Sequence, residues 1–192
     1  VTCYTKTKII SLNIVKIYPP FLYSIQYDDA EENEFDRLFQ KWNDVEYVVN
    51  FLNENKDMLL HPIWLNITEP EEAAKQVLKE AEELENFLID LCENVAEGET
   101  PDLDSHFKFL DGIYKYEIEY IPMKSYGTVR PSLLRMYAIR LGTNTYLITG
   151  GGIKLADTIQ NSPGLKEHVL QNIDKVRTWL KSMGIYDGDD IN

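Results

Sequence analysis

A chain of 192 residues with 44% hydrophobic residues can build one domain around a sizeable core. Its net charge of −13, taken whole, argues against nucleic-acid binding, because phosphate contacts need basic surface. No apolar run approaches the roughly 20 residues needed to cross a membrane, and no secretory apolar stretch follows the first lysines. Two cysteines, Cys3 and Cys92, make no disulfide framework and read as free thiols of a cytoplasmic protein.

In chain order, residues 8–18 (KIISLNIVKIY) are rich in β-branched side chains and predict a strand. Pro19 and Pro20 cannot donate to a ladder, so they mark a turn into a second strand at 21–27. Phe35, Leu38, Phe39 and Trp42 recur at helical spacing over 34–42, and Asp44 can cap a following helix that aligns Val45, Val48, Val49 and Leu52. Thr68-Glu69-Pro70-Glu71 is a helix start, with the helix running over 70–95 to Gly98 on the stripe Ala74, Val77, Leu78, Ala81, Leu84, Leu88 and Leu91. Residues 101–112 predict a short helix or turn.

From residue 113 the period becomes two. Strands are expected at 113–121 (IYKYEIEYI), at 133–141 (LLRMYAIRL) and at 145–149 (TYLIT), with a loop at 123–130 and a turn at 142–144. The last strand runs into Gly150-Gly151-Gly152, which lacks the Gly-Lys-Ser/Thr ending of a phosphate loop and reads as a bend, a bulge or a close backbone approach. Ser162-Pro163 precedes a final helix over 164–183 whose inner face is Leu165, Val169, Ile173, Val176 and Leu180. Grouped helices followed by grouped strands predict an α+β fold. The expectation is an antiparallel sheet with an N-terminal helical block and a C-terminal helix, in one domain over 1–183 with a flexible tail at 184–192.

The acidity is not spread evenly. Residues 31–104 hold 21 acidic and 5 basic side chains, whereas residues 105–181 hold 11 basic and 6 acidic. The C-terminal half is therefore basic inside an acidic chain, and there the candidate site residues lie. Strand alternation puts Arg135 and Tyr137 on one face and sends Arg140 to the other or to an edge. Lys154 follows the triple glycine. Arginine and lysine there could hold a phosphate and stabilise charge in a cleavage transition state. On spacing alone, solvent-facing charge on a half-exposed sheet explains them at least as well. Lys124, Tyr126 and Arg130, in the expected loop, could hold a stacked base beside backbone charge, or simply connect two strands. His61, His106 and His168 share no metal-ligand spacing, so no metal site is expected. The glutamates of the helix at 69–99 read as a solvated face, with a second possibility that they cover the basic sheet or meet a basic partner.

Residues 130–160, RPSLLRMYAIRLGTNTYLITGGGIKLADTIQ, resemble the end of RelE/ParE/HigB-type toxins of type II toxin–antitoxin systems. The similarity covers about 105–183, and the N-terminal strands loosely; the acidic helical block at 31–104 is longer than such toxins usually carry. The resemblance implies a small α+β fold that cleaves mRNA in the ribosomal A site or, in one branch, inhibits gyrase. It also implies neutralisation by a helix-turn-helix antitoxin. Arg135 would match the strand arginine and Lys154 the lysine after the last strand, with Tyr137 as a third catalytic group and Arg140 carried over as an RNA contact; Lys124, Tyr126 and Arg130, read from the loop itself, would contact RNA beside them. Catalysis would need neither metal nor cofactor. The leading expectation is a ribosome-dependent mRNA endoribonuclease. The alternative is a non-catalytic protein-interaction module on a toxin-like scaffold, with the acidic block as its working surface.

Overall fold

The computed structural model describes residues 11–28, 30–64, 67, 69–95, 98–110, 120–128 and 130–191. The β-branched stretch and the diproline turn give a hairpin, β1 (Leu12–Tyr18) and β2 (Leu22–Tyr27). Two amphipathic helices follow, α1 (Glu34–Asn43) and α2 (Val45–Glu54). Asn33 caps α1 by accepting from Phe35 N and Asp36 N; Asp44 caps α2 by accepting from Tyr47 N. Two 3-10 turns, Lys56–Leu60 and Pro62–Trp64, lead to the long helix α3 (Pro70–Glu93), with proline in its first turn and acids at its positive end. The proposed cap Thr68 lies outside the described residues, as does most of the strand expected at 113–121.

A short helix α4 (Leu103–His106) and a two-residue strand β3 (Lys108–Phe109) precede β4 (Ile121–Tyr126), β5 (Leu134–Gly142) and β6 (Thr145–Ile153). The last helix, α5 (Val169–Met183), starts five residues later than its apolar pattern suggests, because residues 162–168 are spent on turns. At the chain end, Gly188–Asp190 form a 3-10 turn capped by Asp187, and Ile191 packs against the core under α5.

The six strands lie in the order β1-β2-β6-β5-β4-β3. Every pairing is antiparallel except β2 with β6, where Leu22 faces Tyr146 and Ser24 faces Ile148 in parallel register. The expectation of a purely antiparallel sheet is thus corrected: the sheet is mixed. After β2 the chain passes through the whole helical block and three further strands before β6 docks beside it, and a parallel neighbour is what such a long crossover permits. The expected loop at 123–130 is also corrected. Its first four residues belong to β4, because Pro122 is accommodated opposite Ile139 without ending the ladder.

The triple glycine is not a bend after β6 but part of it. Gly150, Gly151 and Gly152 face Tyr137, Met136 and Arg135, just past a register shift at Thr149. Close approach explains the glycines. A Cβ on Gly152 would lie 2.5 Å from the Gly164 carbonyl oxygen and 3.0 Å from Leu165 Cδ2. Backbone cannot yield as a flexible side chain does, so Gly152→Ala is expected to cost about 2 kcal/mol or more, seen as a lower urea midpoint with an unchanged slope. An unshifted midpoint would show that the turn at 164 has room to retreat.

The sheet is sandwiched. On one face α1, α2 and α3 bury Phe35, Leu38, Trp42, Val77, Leu84 and Leu88 against Leu134, Met136, Ala138 and Ile148. Burying each such side chain is worth ~1.5–3 kcal/mol relative to leaving it in water. On the other face α5 covers Tyr137, Ile139, Leu141 and Leu147 with Val169, Ile173, Val176 and Leu180. The acidic block and α5 therefore occupy opposite sides of the same sheet.

A cationic cleft on the α5 face

Register and alternation assemble the site. On β4 and β5, Lys124 faces Tyr137 and Tyr126 faces Arg135, so these four side chains share the α5 face. Between them Ser125 and Met136 point to the helical block. Past the end of β6 the chain turns beside them, and its first residue is pinned when Lys154 N donates to Leu133 O at 2.7 Å. A cleft of about 190 Å³ results, lined by Lys124, Arg135, Tyr137, Lys154 and Asp157 and closed by Leu170 of α5. The three residues expected to do chemistry, Arg135, Tyr137 and Lys154, are thus brought to one place, with Lys124 beside them.

Arg135 is held firmly. Its Nη1 donates to Ser132 O at 2.9 Å and Leu134 O at 2.6 Å, and its guanidinium carbon sits 4.1 Å from the Tyr126 ring centroid. Arg130 and Lys124 approach the same ring at 5.0 and 5.8 Å. One phenol ring therefore gathers three cations, each such contact being worth ~0.5–2 kcal/mol. This changes the role foreseen for Tyr126: its ring is engaged by arginine and serves to concentrate positive charge beside the cleft. Burial lowers the Arg135 pKa, with Tyr126, Tyr137 and Glu80 opposing that shift, and a guanidinium remains charged throughout the working range. Burial also pushes the Tyr137 phenol far above its ordinary value, so it stays protonated and cannot act as a base.

Lys154 donates to the Asp157 carbonyl at 2.8 Å, which moors its ammonium to the turn that carries Asp157. Arg140 is elsewhere. Near the opposite end of β5 its Nη2 lies 2.5 Å from Asp104 Oδ2, its Nε donates to Gly142 O at 3.1 Å, and Tyr146 donates to Asp104 Oδ1 at 2.6 Å. It borders a separate hollow of about 290 Å³ with Tyr120 and Tyr186. Arg140 is not part of the Arg135 cleft.

Three features escaped the sequence reading. The first is Glu80, fully buried in α3, whose carboxylate accepts from Ser132 Oγ and Gln76 Nε2 at 2.6 Å each, and from Leu133 N and Leu134 N at 3.3 and 3.4 Å. Burial raises its pKa against those four hydrogen bonds. A signal existed: Glu80 falls three residues after Val77 and four before Leu84, inside the apolar stripe. The second is His106, whose Nε2 is 2.5 Å from Ser125 Oγ, on the helical-block side of the sheet. Ser125 is completely buried there, so the pair packs and does not face the cleft. The third is His61, with Nε2 3.4 Å from Asp157 Oδ2 across 96 positions of sequence. No local pattern reveals it.

Among the described residues, no three His, Cys, Asp or Glu side chains gather as a metal site would need, and no helix is long and apolar enough to cross a membrane. Burial pushes the Cys92 thiol up to about 11, away from reactivity; Cys3 lies outside the described residues. Fold and site together define a mixed-sheet α+β protein with a cationic, phenol-lined cleft on the face opposite its acidic helices. Compared with protein-family models, with curated proteins and with solved structures, the chain matches none.

Proposed function

We propose that this protein is a toxin-like, metal-independent endoribonuclease that acts on mRNA at the ribosome in the cytoplasm and is held in check by a helix-turn-helix antitoxin. One observation carries the reading: Arg135, Lys124, Lys154 and Tyr137, drawn from two strands and the turn after β6, meet in one cleft. The resemblance of residues 130–160 to RelE/ParE/HigB toxins supplies the reaction class. In this scheme Arg135 and Lys154 hold the scissile phosphate and offset the charge that builds on its oxygens as the adjacent 2′-hydroxyl attacks. Lys124, with Arg130 beside Tyr126, steers the backbone of the RNA into the cleft. Tyr137, kept as a neutral phenol, donates a hydrogen bond.

The position of the acidic block bears on the alternative of a non-catalytic interaction module. That block packs on the other face of the sheet and does not close the Arg135–Lys154 side. A −13 chain can therefore still present a local cationic surface to RNA.

Controlled expression in a bacterial host tests the proposal. Wild-type protein is expected to arrest growth and leave cleaved mRNA. Lys154→Ala, a change at the cleft mouth, is expected to cut the cleavage rate by about 100-fold, the scale of losing one charge-stabilising contact. Arg135→Lys, which keeps the charge but not the fork, is expected to fall between them. Normal growth with intact mRNA in cells making soluble wild-type protein would reject the nuclease and favour the interaction module.

A further inference from the structure

A ribonuclease that uses the 2′-hydroxyl must take a proton from it. Of the titratable groups lining the cleft, Lys124, Arg135 and Lys154 are cations and Tyr137 is a protonated phenol, none of which accepts a proton readily near neutrality. Asp157 is the one carboxylate among the described lining residues. It is not placed there by chance of loop conformation. Trp64, almost wholly buried, donates from Nε1 to Leu155 O at 3.1 Å and so ties the 3-10 turn after His61 to the turn that carries Asp157. On the same turn, Ile63 N donates to His61 Nδ1 at 3.3 Å. With Nδ1 accepting, the neutral ring carries its proton on Nε2, the atom 3.4 Å from Asp157 Oδ2.

We infer that Asp157 is the proton acceptor of this cleft and that His61 is the residue that positions its carboxylate. The assignment rests on the endoribonuclease reading above. The 2′-hydroxyl proton passes to the Asp157 carboxylate as the 2′-oxygen bonds to the adjacent phosphorus. The bond from phosphorus to the 5′-oxygen breaks, and that oxygen takes a proton from the Lys154 ammonium. The products are a 2′,3′-cyclic phosphate and a free 5′-hydroxyl. Asp157 then returns its proton, and Lys154 regains one, through water. Lys154 and Asp157 sit on one turn, with the ammonium moored to the Asp157 carbonyl, so donor and acceptor move together. His61 uses both ring nitrogens on protein neighbours, which assigns it to orientation and leaves the proton transfer to the carboxylate.

The test is single-turnover cleavage of ribosome-bound mRNA by the full chain, paired with binding of the same mRNA carrying a 2′-deoxy nucleotide at the cleavage position. Asp157→Asn is expected to slow the maximal rate about 100-fold or more while binding the deoxy mRNA as well as wild type does. His61→Ala is expected to lower the maximal rate about 10-fold with half-saturation unchanged, and His61→Gln, which still offers an N–H, to recover much of it. Asp157→Asn cleaving within about 3-fold of wild type would overturn the assignment and leave the nuclease standing. Loss of deoxy-mRNA binding in Asp157→Asn would overturn it too, because the carboxylate would then serve binding. A wild-type protein that cleaves nothing would overturn the nuclease reading itself, and this inference with it.

Discussion

Glu80→Ala is expected to destabilise the protein by about 3–5 kcal/mol, the largest effect of any single change considered. The carboxylate is fully buried and takes hydrogen bonds from Gln76, Ser132, Leu133 and Leu134. Truncation leaves those buried donors without their acceptor, and each stranded donor costs ~1–3 kcal/mol. The close approach of Gly127, where a Cβ would run into Glu80 Oε2, leaves little space for water to replace the carboxylate. In a chain of this size the loss corresponds to a fall in Tm of about 10 °C. Glu80→Gln keeps one acceptor oxygen and should lose roughly half as much. Urea unfolding of the three proteins decides the matter, and a Glu80→Ala protein within about 1 kcal/mol of wild type would refute this account. The consequence reaches the cleft. Ser132 and Leu134, which Glu80 grips, are the residues whose carbonyls hold Arg135, so the acidic helix on one face fixes the key cation on the other.

The second large effect is set by pH. Burial, aided by the charges of Arg130 and Lys108, lowers the His106 pKa from 6.5 to about 4. Its ring lies between Phe87 and Phe107, at 4.9 and 5.4 Å between centroids, and is bonded to buried Ser125. The folded pKa lies below the unfolded value, so the unfolded chain binds the proton more readily. The contribution of neutral His106 is therefore present above about pH 6.5 and is lost as pH falls towards about 4. The gap between these values corresponds to ~3 kcal/mol. Glu80 acts with the opposite sign, because its raised pKa favours the folded state as pH falls. It is common to wild type and to a His106→Gln variant, so it cancels in their difference. The stability advantage of wild type over His106→Gln is expected to shrink by up to ~3 kcal/mol between pH 7 and pH 4. Parallel stability curves for the two proteins over that range would refute it.

Much of the local structure was legible. The helical spacing of Phe35, Leu38, Phe39 and Trp42 and the capping aspartate at 44 recover α1 and α2 because both signals are contained within a turn or two of chain. The alternation in residues 133–141 correctly separates Arg135 and Tyr137 from Arg140, since a strand fixes sidedness by parity alone. The first part of the loop expected at 123–130 is strand instead, because residues 123–126 are held by pairing with β5, a contact that no local pattern encodes. For the glycines at 150–152 the sequence leaves a bend, a bulge or a close backbone approach open, and the closeness of Gly164 and the β5 backbone, which no local pattern encodes, selects among them.

By itself, then, the sequence determined the cores of most helices and strands, which side of β5 each residue takes, and that the basic charge is gathered after residue 104. Tertiary structure alone decided that β6 lies parallel to β2, that the acidic helices and the cationic cleft take opposite faces, that Glu80 meets Ser132 across 52 positions, and that His61 meets Asp157 across 96. The division has a physical cause. Periodicity, capping and parity arise between residues within a few positions of each other. Sheet order, the burial of one glutamate among many and the meeting of distant turns depend on how whole faces exclude water.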